Sequence, residues 1–189
     1  MKKAFLISGG ILVTLALIIG AFWISAFNGA IRKEATVNQH RGDVHAALSA
    51  RYDKVDAFID AIEDANATVL SYLETITDAR EAFADAIDQG DPSDAEQAAE
   101  TLDATFVTLV AYMEDNPDSY NTVSLYSGFM GEFFASTNAV RFEIGEYNKA
   151  VREYNVHIQT FPNQIFVGGR TVLSEYSLTN YNATLPTFN

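Results

Sequence analysis

The chain has 189 residues, no cysteine, and 25 Asp and Glu against 12 Lys and Arg, for a net charge of −13. So acidic a surface repels nucleic acid and anionic lipid, and no nucleic-acid partner is expected for the domain as a whole. The lack of Cys excludes disulfides, thiol catalysis, Cys-based metal sites and a lipoprotein signal.

From Ala4 to Phe27 there is no charged residue, and Leu6, Leu12, Leu15 and Leu17 are among the apolar side chains that dominate the run. As a helix, residues 4–27 span about 36 Å, enough for a hydrocarbon core of about 30 Å with modest tilt. Trp23 and Phe22 suit the aromatic belt at its far end. A cleaved signal peptide has a shorter apolar core and a small-residue cleavage site, so an uncleaved, single-pass anchor in the lipid bilayer is expected. The bases flanking it, Lys2 and Lys3 before and Arg32, Lys33 and Arg41 after, are nearly balanced. The compact N-terminal cluster and the acidic domain favour an inside N-terminus with the domain outside the cytoplasm.

After the anchor, Val37, Val44, Leu48, Val55, Phe58, Ile59, Ile62, Val69, Leu73 and Ile76 recur at helical steps. Residues 30–88 therefore read as one long helix, with a candidate break near Asn66-Ala67-Thr68. Gln89-Gly90-Asp91-Pro92 reads as a stop and restart, with Gly90 ending one helix and Pro92 opening the next. That second helix runs to about Asp115 with Leu102, Phe106, Leu109, Val110 and Met113 inward, and Asn116-Pro117-Asp118 breaks it. A third helix follows from Tyr126, Met130, Phe133, Thr137, Val140, Ile144, Tyr147, Val151, Tyr154, Ile158 and Phe161, whose alternating steps of four and three form a heptad seam of coiled-coil type. At 36 residues it is a rod about 54 Å long that Pro162 ends. The fold class expected is all-α: an anchor over residues 1–27, an elongated antiparallel bundle of three to four long helices over 28–162, and an irregular, extended tail over 163–189.

Charge is unevenly distributed. Between Val55 and Val140 there are 18 Asp and Glu and one base, Arg80. Folding the third helix back along the first would place both basic sections near the membrane and the acid away from it.

Several stretches resemble the LemA family of membrane-anchored bacterial proteins. Arg141-Phe142, then Tyr147-Asn148-Lys149-Ala150-Val151-Arg152-Glu153-Tyr154-Asn155, then Phe161-Pro162-Asn163 look like its signature R-x-x-Y-N-x-x-V-x-x-Y-N followed by F-P, with looser spacing after Arg141. Arg51-Tyr52-Asp53, Thr77-Asp78-Ala79-Arg80 and Glu114-Asp115-Asn116-Pro117-Asp118 are weaker matches in the expected order, and Pro186-Thr187-Phe188 echoes the closing motif. Departures fall at Ala50, Asp56 and Asn116. The resemblance implies a helical bundle on one anchor and no shared biochemical activity. It also implies a cytoplasmic domain, against the reading from Lys2 and Lys3, so sidedness stays open.

The residues singled out carry structural roles on this reading. Tyr147 and Tyr154 are seam positions whose hydroxyls need partners, and Asn148 and Asn155 beside the seam can hydrogen-bond across helices. Arg51, Arg80, Arg141 and Arg152 are expected to pair with carboxylates on facing helices, Asp53 lying among the candidate motif residues. Carboxylate-bridged metals require Glu-x-x-His pairs, whereas Glu153 and His157 are four apart and His40 and His45 five; Asp88, Asp91 and Asp94 do not match a calcium loop. No catalytic residue, cofactor or metal is expected. The expectation is a non-enzymatic scaffold that forms homo-oligomers, motivated in part by Phe83, Phe106, Phe129, Phe133, Phe134 and Phe142. The alternative is an accessory subunit that binds another membrane protein, such as a protease or transporter.

Overall fold

A computed structural model describes residues 2–60, 66–89, 92–116 and 122–176, with side chains for all of these except 2–6, 56, 58–60, 88, 92 and 122–134. It is all-α among the described residues, with α1 (Lys2–Asp60), α2 (Ala67–Gln89), α3 (Pro92–Asp115), α4 (Thr122–Gln159) and a short α5 (Gln164–Val167). No Pro precedes Pro92, so nothing interrupts the hydrogen-bond ladder of α1, and the apolar run and the first helix of the domain are one element. The chain divides into two compact units: residues Met1–His40 with Tyr147–Glu175, and Arg41–Glu146 with Tyr176–Asn189.

In the first unit α1 and α4 pack antiparallel. Lys33 Nζ lies 3.1 Å from Glu153 of α4, and the His157 ring, four residues further along α4, reaches the Ala26 carbonyl. The α1 face here is small: Ala26, Ala30 and Val37 are fully buried against α4 residues that include Tyr147, Val151, Tyr154 and Ile158. Towards its N-terminus α1 has no such cover. Leu12, Leu15, Leu17 and Trp23 are 67, 49, 70 and 52 % exposed. Its most apolar 18-residue stretch has a mean hydropathy of 2.3, and α1 is long and apolar enough to cross a membrane. Ala4 and Leu6 fall among the residues whose side chains are not described.

The second unit is packed along apolar faces. Val44, Leu48 and Val55 of α1 are buried, as are Val69, Ile76, Ala79, Phe83 and Ala86 of α2. On α3, Ala95, Ala98 and Ala99 join Leu102, Phe106, Leu109, Val110 and Met113, the face expected from periodicity. Alanines on both α2 and α3 bring these antiparallel helices close, while Tyr52 of α1 meets Phe83 edge-on at 5.1 Å.

Asn66 shows why residues 30–88 are two helices and not one. Its Oδ1 accepts from the Thr68 and Val69 amides at 3.1 and 3.0 Å, so it caps α2, while its Nδ2 donates to the Tyr112 hydroxyl of α3 at 2.9 Å. At the far end of α3 the Asn116 side chain donates to the Tyr112 carbonyl at 2.8 Å. Pro117 lies outside the described residues.

Two expectations need correction. Phe161 does not continue the α4 seam: the helix ends at Gln159, the heptad spacing no longer applies, and Phe161 is 76 % exposed. Nor is the tail wholly irregular, because the Asn163 carbonyl accepts from Phe166 and Val167 and the Gln164 carbonyl from Gly168, closing the turn of α5. The earlier seam positions Val140, Ile144, Tyr147, Val151, Tyr154 and Ile158 are all buried. The side chains of Tyr126, Met130 and Phe133, and Pro186 to Phe188, fall outside the described residues.

Candidate functional site

The polar residues of the Tyr-Asn stretch converge on the chain that follows α5. Asn155 sits on α4 beside the seam, and its side-chain amide pairs with the backbone of Leu173 at two points. Nδ2 donates to the Leu173 carbonyl at 2.8 Å and Oδ1 accepts from its amide at 2.9 Å. A primary amide can do this because its donor and acceptor lie side by side, as in a peptide group. Tyr147, two turns earlier on α4, donates its hydroxyl to the Ser174 carbonyl at 3.3 Å, and Arg152 Nη1 reaches Glu175 at 2.7 Å. The non-helical segment 171–176 therefore runs back along α4, pinned at three successive residues.

Arg170 begins that segment and ties it to both helices. Its Nη1 lies 2.6 Å from Glu34 of α1, and its guanidinium sits 5.3 Å from the centre of the Phe27 ring. A hydrogen bond with Tyr154 of α4, and then Glu34, hold its pKa above the ordinary arginine value. Tyr154 is 2 % exposed, so its hydroxyl requires a partner inside the fold, and Arg170 supplies one.

His157 joins α4 to α1. Its Nε2 is 2.9 Å from the Ala26 carbonyl, which can only accept, so Nε2 carries the proton and Nδ1 accepts from Asn163 Nδ2 at 3.2 Å. The contact requires Gly29. A Cβ at that position would lie 2.6 Å from His157 Cε1 and 2.7 Å from Nε2, closer than real Cβ contacts come, so the ring or the helix would have to shift.

In the second unit, Arg51 is 3 % exposed and its Nη2 lies 3.0 Å from Asp103 Oδ2 on α3. Oδ1 of Asp103 is buried with no hydrogen-bond partner among the described residues. Loss of solvent outweighs the attraction of Arg51, and burial pushes the Asp103 pKa up to about 6. His45 stands edge-on to Phe83, and burial, then Arg41, lower its pKa. Arg80 reaches Asp53 at 3.4 Å across an exposed surface.

Of the residues expected from sequence, Tyr147, Tyr154 and Asn155 come together on one segment, with Arg152 beside them. Asn148 and Val151 are buried at 4 and 0 %, and Pro162 is half-buried; Arg141 is exposed, on the outside of α4. The Asn155 side chain grips the returning chain and not a facing helix. Arg170, Glu34, His157 and Gly29 had no place among the expected residues. The signal available for Arg170 was its position as the only Lys or Arg in a stretch, Tyr154–Ser174, that contains no Asp or Glu.

A family model described as the LemA family matches residues 40–185. No curated protein and no solved structure matches the chain.

Proposed function

The chain belongs to the LemA family, and from that premise we propose that it is a membrane-anchored scaffold, without catalytic activity, that assembles with further copies through its helical bundle. The observation that carries this reading is the engagement of Tyr147, Arg152 and Asn155 with the chain's own segment 173–175. Residues so engaged stiffen a module and do not present their polar atoms to a ligand. The anchor reading is supported by α1, where Ile7, Leu12, Leu17, Phe22 and Trp23 are more than half exposed in the isolated chain. In water that exposure is costly, whereas in hydrocarbon it is favourable, and the helix satisfies its own backbone. The Lys2-Lys3 cluster supports a bacterial cell-membrane orientation with the domain outside the cytoplasm.

Self-association is supported by Phe142, which is 65 % exposed on α4. Phe83 and Phe106 belong to the core of the second unit and leave no surface to cover. Phe129, Phe133 and Phe134 are among the residues whose side chains are not described. The mass of the full chain in detergent and in nanodiscs, over a range of concentrations, tests the reading. An oligomer of fixed copy number is expected, and a monomer throughout would overturn it. The same exposed Phe142 also supports the reading as an accessory subunit. A monomeric chain that isolates with one stoichiometric membrane protein would favour that second reading.

A further inference from the structure

We propose that the turn after α4, with Phe161 and Ile165 at its surface, is a second membrane contact that seats in the bilayer interface beside the α1 anchor. The inference rests on the anchor reading above and extends it to a part of the chain far from residues 4–27 in sequence.

Depth along α1 provides the argument. Glu153 of α4 is level with Lys33, and the His157 ring, bonded to the Ala26 carbonyl, is level with Gly29. Successive residues of α4 thus descend α1 towards its apolar run, and the end of α4 at Gln159 comes level with Phe27. The chain returns at Arg170, whose guanidinium lies over the Phe27 ring. Residues 161–169 therefore leave and return at the height of Phe27, where the anchor ends.

Their chemistry fits that height. Between His157 and Arg170 there is no charged residue. Phe161 is 76 % and Ile165 69 % exposed in the isolated chain, among the most exposed large apolar side chains it has. Asn163 and Gln164 lie between them, and Arg170 stands at the upper edge where a headgroup phosphate would lie. Aromatic and aliphatic tips with polar neighbours and a base above are the composition of an interfacial segment. Because α1 and α4 are joined by the His157 and Lys33 contacts, such a segment would also fix the tilt of the first unit on the membrane.

The chain has no cysteine, so single nitroxide labels can be placed one at a time. The full-length variants Phe161→Cys, Ile165→Cys, Leu17→Cys and Lys149→Cys are labelled and reconstituted in vesicles of phosphatidylcholine with a minority of phosphatidylglycerol. Collision with oxygen, which concentrates in lipid, is compared with collision with a water-soluble nickel chelate. Leu17 is the control for the anchor. Lys149 is the aqueous control, since its neighbour Ala150 lies beside Thr36, about 14 Å beyond Phe27 along α1. Oxygen is expected to exceed nickel several-fold at 161 and 165, as at 17, with the reverse at 149. An aqueous result at either 161 or 165, with lipid at 17, would overturn the proposal and leave the anchor standing. An aqueous result at 17 would overturn the anchor reading and this inference with it.

Discussion

The two units of the chain are held together in different ways. In the first, α1 offers α4 a face of small residues, and the packing is completed by polar groups at separate points: Asn155 on Leu173, Arg170 on Glu34, His157 on Ala26. In the second, apolar faces of Val, Leu, Ile, Phe and Ala on α1, α2 and α3 are buried, with the Arg51–Asp103 pair among them. Two helices alone bury little apolar area, so the unit that carries the anchor needs a third segment, and hydrogen bonds hold it there. Where more helices converge, apolar packing suffices and the surface is free to carry acid.

The contrast can be broken most forcefully in the second unit. Phe106→Ala should cost about 3–5 kcal/mol, since Phe106 is 1 % exposed. Chemical denaturation read by circular dichroism checks it, and a loss below about 1 kcal/mol would show that the core is not what holds this unit.

Next is the pH dependence of Asp103. Its folded pKa of about 6 stands above the ordinary 3.8, so the folded state binds the proton more tightly than the unfolded state. Below the unfolded value the group is neutral in both states. As pH rises to about 6 the contribution becomes unfavourable, and above that it is constant. Wild type should therefore lose about 3 kcal/mol relative to Asp103→Asn between pH 3.8 and pH 6. Parallel pH profiles of the two proteins would show that Asp103 titrates normally.

In the first unit the expected effects are smaller and local. Asn155→Ala removes two hydrogen bonds from a partly exposed site and should cost about 1–2 kcal/mol. Proteolysis should then cut within residues 171–176 while the second unit keeps its thermal midpoint. Smallest of all is Arg80→Ala, which breaks an exposed pair at 3.4 Å and should change stability by less than about 1 kcal/mol. A larger loss would mean that polar contacts matter in the second unit as well.

The second unit and the anchor were the more legible parts of the sequence, because apolar packing leaves a period. The α3 face follows from spacing, as does the α4 seam, whose Val140 and Ile144 lie in this unit and whose Tyr147 to Ile158 lie in the first, and Asn66 stands at the candidate break in an otherwise unbroken helical period. The first unit was legible only in its helices. The Leu173 backbone that Asn155 grips has no signature in residue type, since any residue there offers the same amide and carbonyl. Gly29 resembles any helical glycine until His157 is placed against it. Arg170 lies in a stretch without periodicity, and only the absence of acid around it marks the region as unusual.

The claim at the centre of this account is that the Tyr-Asn residues hold the chain's own C-terminal segment. Hydrogen exchange of the Leu173 amide tests it most directly, because among the described residues that proton is donated to Asn155 and to no backbone carbonyl. Exchange slowed at least tenfold relative to an unstructured peptide, and restored to the peptide rate in Asn155→Ala while the Ile158 amide stays protected, is the predicted result. Exchange at the unstructured rate in the wild-type protein would contradict it.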